Sequence, residues 1–103
     1  MSANSYRGEA SLQVGGEAII IRPTFGALVA AEEELGPLFA LVERAAEGKL
    51  GISEMAALFD HLSREGRPAG IDRLRIGEAI VERGLAGVSP QLKIVLSQIL
   101  QGQ

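Results

Sequence analysis

The chain has 103 residues, enough for one domain, and it is 47% hydrophobic but only 4% aromatic, so Leu, Ile, Val and Ala must build its interior. It has no cysteine, which excludes disulfides, zinc–thiolate sites and cysteine nucleophiles, and its net charge of −3 lacks the basic footprint of a nucleic-acid binder. No apolar run approaches the roughly 20 residues of a membrane span, and the polar start has no apolar secretory core, so a soluble, cytoplasmic protein is expected.

Residues 1–7 read as a disordered N-terminal arm, and residues 8–103 as a single globular domain. Glu9-Ala10-Ser11-Leu12-Gln13-Val14 alternates polar and apolar, the period of a half-buried strand. After Gly15-Gly16 comes Glu17-Ala18-Ile19-Ile20-Ile21-Arg22, rich in β-branched residues. A two-glycine loop between such runs predicts a β-hairpin, because both loop residues can take positive φ. That loop sets the register: Val14 faces Glu17, Leu12 faces Ile19 and Ala10 faces Ile21 on the core side. On the other face Glu9 meets Arg22, Ser11 meets Ile20 and Gln13 meets Ala18. Ile20 is therefore expected to point away from the core.

Pro23 ends the hairpin and Thr24 caps a first helix carrying Phe25, Leu28, Val29 and Leu35 on or near one stripe, with Glu32, Glu33 and Glu34 near its end. Gly36 and Pro37 separate it from a second helix whose face is Leu38, Leu41, Val42 and Ala45. Phe39 falls off that stripe. Ser53 caps a third helix with Met55, Leu58, Phe59 and Leu62 at helical spacing. Residues 66–70 form the clearest loop. Asp72 caps a fourth helix containing Ile76, Ala79 and Ile80, which Gly84 stops. Ser89 and Pro90 open a fifth, striped by Leu92, Val95, Leu96, Ile99 and Leu100. The fold class expected is α+β: an N-terminal two-stranded antiparallel hairpin followed by a compact bundle of about five short helices.

A search for chemistry returns little. His61 is the only histidine; Asp60 beside it points about 100° away on a helix, and Glu65 is the only acid at helical pairing distance. It reads as a surface or boundary histidine. Three consecutive glutamates fan out on a helix instead of converging on a metal, so Glu32, Glu33 and Glu34 read as a solvated face. Arg64, Arg67, Arg73 and Arg75 read as ordinary surface charge. Gly48-Lys49 lacks the preceding Gly and following Ser or Thr of a phosphate loop. The expectation is a protein with no enzymatic activity, no cofactor and no metal. What remains is interaction surface, including hairpin edges that could pair with a second copy.

The ordered set of Gly8-Glu9, the glycine turn, Ile21-Arg22-Pro23-Thr24-Phe25, Glu32-Glu33-Glu34-Leu35-Gly36 and Gln98-Ile99-Leu100-Gln101-Gly102 resembles the small tail proteins of gene transfer agents, a family grouped with phage tail assembly chaperones. The resemblance runs from about Gly8 to Gly102. It implies a non-catalytic module of a prophage or gene transfer agent that binds the tape-measure protein, the tail tube protein or both, and that stays cytoplasmic or joins the particle. Some descriptions of such proteins call them tube components, although a tube subunit is normally a larger, β-rich ring former. The partner contacts expected on this reading are Ile20, Phe39, Leu92, Leu96 and Leu100. The alternatives are a structural component retained in the tail and a small regulatory binding protein unrelated to tails.

Overall fold

A computed structural model describes residues 9–102; the arm expected over residues 1–7 lies outside them. Strands β1 (Ala10–Val14) and β2 (Glu17–Ile21) form an antiparallel hairpin. Five helices follow: α1 (Phe25–Leu35), α2 (Leu38–Ala46), α3 (Ile52–Leu62), α4 (Arg73–Arg83) and α5 (Leu85–Gln101).

The hairpin register is the one its loop dictates, with Ala10 opposite Ile21, Leu12 opposite Ile19 and Val14 opposite Glu17. Gly15 and Gly16 both take positive φ, 57° and 83°, which a two-residue turn of this hand requires. Leu12, Val14, Ile19 and Ile21 are almost wholly buried, whereas Ser11, Gln13 and Ala18 are exposed and Ile20 is half-buried. Glu9 and Arg22 pair at 3.2 Å across the outer face. The inner face lies on α3, α4 and α5, and the Arg22 amide donates to the Leu62 carbonyl at 2.7 Å, tying β2 to the end of α3.

α3 is the centre of the molecule. Every residue from Met55 to Leu62 is buried, and the helix packs on α1 along one side and α4 along the other. Phe59, Leu58, Leu41, Ile76, Ile80, Val88 and Val95 join the inner face of the hairpin in one core. Burying a side chain of this size stabilises the fold by roughly 1.5–3 kcal/mol.

Helix starts follow local chemistry. The Thr24 hydroxyl accepts from the Ala27 amide at 3.3 Å, and Asp72 accepts from the Arg75 amide at 3.0 Å, so both expected caps are in place. Three details differ from the expectations. α3 begins at Ile52 behind Gly51, because Glu54 reaches back to the Gly51 amide at 3.0 Å; Ser53 is already helical. α5 begins at Leu85, a turn ahead of Pro90. Gly84 turns the chain at φ 85°, and burying Val88 draws the extra turn onto the core. Phe25 and Val29, placed on or near the inward stripe of α1, are instead exposed, Phe25 to 85%, since Leu28, Ala31 and Leu35 make the inward face.

Candidate functional site

The α3–α4 pair buries Phe59, Ile76 and Ile80 on its inner side and leaves a groove of about 790 Å³ on its outer side. The floor is made of small residues: Ala56 and Ala57 from α3 and Gly77 from α4. Small side chains here hold the helices close; a carbon added at Gly77 would sit 3.7 Å from the Ala56 methyl. Ile52, Leu74 and Val81 stand along the rims, 42%, 69% and 66% exposed, and Leu35 closes the end against α1. On α4, Leu74, Gly77 and Val81 recur at i, i+3 and i+7, so they share one face. That stripe spans about 10 Å of helix, close to two turns.

One end of the groove is held by charges. Glu34, from the last turn of α1, takes a bidentate pair from Arg73 of α4 at 2.5 and 2.8 Å, and accepts from the Nε2 of His61 at 2.7 Å. Beneath it, Asp60 is only 5% exposed and accepts from Arg67 at 2.6 Å and from Arg64 and Arg73 at 3.0 Å each. Burial pushes the Asp60 carboxyl up, but the three guanidiniums outweigh it and hold it down at about 2. Arg73 and then His61 hold Glu34 at about 2 as well, and Glu34 in turn pushes Arg73 up. With its Nε2 proton on Glu34, His61 leaves Nδ1 buried with no partner among the described residues. These charges tie α1, α3, the following loop and α4 into a fixed frame. Among the described residues, no three metal-ligating side chains converge.

A second apolar surface, a cleft of about 260 Å³, lies between the start of α2 and the end of α5. Phe39, 74% exposed, and Leu100, 51% exposed, face it together with Pro37, Leu38, Val42 and Ile99. Glu32 borders this cleft while Glu34 and Leu35 border the groove. Glu32 and Glu34 are about 200° apart on α1, so the two surfaces open on different sides of its last turn.

Compared with known proteins, residues 7–102 match the family described as "Phage tail tube protein, GTA-gp10". The chain belongs to this family. It is thus a tail protein of the phage and gene transfer agent kind, and the resemblance read from its sequence is confirmed. No curated protein and no solved structure matches it. No helix among the described residues of this tail protein is long and apolar enough to cross a membrane.

The structure brings together two of the five residues expected to meet a partner: Phe39 and Leu100 line one cleft. Leu92 and Leu96 are partly buried and pack on the core. Ile20 lies on the outer face of the hairpin and lines neither surface. Sequence reasoning missed the groove, although the Leu74, Gly77, Val81 spacing marks a second apolar stripe on α4, about 110° round the helix from Ile76 and Ile80. It also misplaced His61. That side chain is 8% exposed and its acid is Glu34 on another helix, not Glu65, because α3 is buried all round and a polar group there must find a tertiary partner.

Proposed function

We propose that this tail protein is a non-catalytic chaperone of tail assembly, which holds an amphipathic helix of the tape-measure protein or the tail tube protein in the α3–α4 groove. The observation that carries this reading is the groove itself: a two-turn apolar trough, floored by small residues and rimmed by exposed Ile52, Leu74 and Val81. Such a trough suits a third helix, whose side-chain ridge can settle between the two that form it. Left alone, apolar helix faces associate indiscriminately, and covering them keeps a long helical protein available for assembly. The frame of Glu34, Arg73 and Asp60 supports the reading by fixing the trough before a partner arrives, which lowers the ordering cost of binding.

The test is capture of the tape-measure and tube proteins by tagged protein in cells making tails, with Leu74→Asp in parallel. Recovery of either partner by the parent and its loss in the variant are expected. Equal recovery by both would remove the groove from the function. A second reading, a component retained in the tail, draws on the family's description as tube protein. A fixed number of copies per purified particle is its expected signature, whereas a chaperone is depleted from finished particles.

A further inference from the structure

We propose that the α3–α4 groove selects a basic amphipathic helix, one whose apolar stripe is flanked by Lys or Arg that pairs with Glu78. The inference rests on the groove reading above and adds the charge of the occupant. Four charged side chains line the groove: Glu34, Glu54, Glu78 and Arg73. Three of them are spoken for. Glu34 and Arg73 hold each other, and Glu54 is held by the Gly51 amide and by Arg44.

Glu78 differs. It is exposed on the groove side of α4, one position from Gly77, and makes no hydrogen bond or ion pair with another described residue. Arg75, three residues earlier and in helical reach of it, lines a neighbouring surface with Glu78 but makes no ion pair with it. Its guanidinium lies over the hairpin loop, where a side-chain carbon at Gly15 would come within 2.8 Å of it. The groove therefore presents apolar walls with one unmatched carboxylate. A helix laid along the walls brings its flanking side chains to that carboxylate. A cation there is attracted with the strength of a surface pair, while an acidic flank is repelled. The complement is two turns of helix with apolar residues at i, i+3 or i+4 and i+7, and a base beside them.

Two synthetic helical peptides of about 15 residues test this, long enough to fold on the surface though marginal alone. Both carry the same Leu stripe; one has Lys on both flanks and the other Glu, so either chain direction presents the charge. Affinities are read by fluorescence anisotropy against the folded protein, Glu78→Gln, Glu78→Lys and Leu74→Asp, each checked by circular dichroism. The expected result is roughly two- to five-fold tighter binding of the Lys peptide, the range of a surface pair, and a smaller gap at high salt. Glu78→Gln should close the gap and Glu78→Lys should reverse it. Equal affinity for both peptides, or an unchanged ranking on Glu78→Lys, overturns the charge rule; if Leu74→Asp still abolishes that binding, the groove reading stands. No binding of either peptide to the parent overturns both.

Discussion

The α3–α4 groove and the Phe39–Leu100 cleft are both apolar, yet they are made in different ways. The groove lies between two helices packed along their length, and its end is locked by Glu34, Arg73 and Asp60. The cleft lies between the first turn of α2 and the last turn of α5, the parts of helices that fray first. The groove is braced by charges, whereas the cleft is bounded by helix ends and is therefore expected to be the more adaptable of the two. Binding energy gathers where the surface is preformed, because less ordering is needed there. The groove should therefore supply affinity and the cleft should adjust it.

The largest effect is expected at the groove rim. Leu74→Asp should weaken capture of the tail partner by about 2 kcal/mol, roughly thirty-fold, the scale of a central anchor. Its 69% exposure means that the fold should lose no more than about 0.5 kcal/mol, measured by urea unfolding. A loss of binding smaller than that of Phe39→Asp would reverse the ranking of the two surfaces.

The frame that fixes the groove comes next. Asp60 titrates at about 2 in the folded chain, below its ordinary 3.8, so its contribution is complete above about pH 4 and is lost as pH falls through 2. Asp60→Asn should cost about 2 kcal/mol at neutral pH, from the size of that displacement. The gap between parent and variant should narrow from pH 4 downward. A gap that stays constant from pH 7 to pH 2 would mean that the three guanidiniums do not act through the Asp60 charge. Glu34→Gln should change stability in the same direction and by less, since Glu34 is 41% exposed.

The adaptable surface should show smaller changes. Phe39→Asp is expected to weaken capture about three- to ten-fold, as a peripheral aromatic contact does, and Ile20→Asp, at a position outside both surfaces, by less. Affinity unchanged in both variants would remove these two residues from the interface and leave the groove alone.

How each surface could be known from the sequence follows from the same contrast. Phe39 breaks the stripe of its own helix, so one helical period was enough to single it out, and Leu100 sits at the end of the longest stripe. The hairpin register followed from two adjacent glycines, because a two-residue loop leaves no freedom in pairing. The groove needed knowledge of which helices lie side by side, and no local pattern holds that. Leu74 and Val81 look like ordinary helical leucine and valine until α3 is placed beside them with Ala56 and Ala57. His61 failed for the same reason: its acid, Glu34, is 27 residues away in sequence. Phe25 failed because α1 carries apolar residues around more of its circumference than it buries.

The smallest effect separates shape from stability most cleanly. Gly77 is helical, and a carbon added to it meets only the Ala56 methyl at 3.7 Å, an ordinary contact. Gly77→Ala should therefore stabilise the fold by about 0.5–1 kcal/mol, the usual gain of alanine over glycine inside a helix. The added methyl also raises the floor of the groove beneath the bound helix. Stability and affinity are then expected to move in opposite directions, with a higher urea midpoint and capture weakened about two- to three-fold, less than overpacking costs in a closed core because the groove is open on one side. A variant that becomes both more stable and equally able to hold its partner would show that the occupant does not reach the floor between Ala56 and Gly77. Binding would then belong to the rims, Ile52, Leu74 and Val81, with the small residues serving only to bring α3 and α4 together.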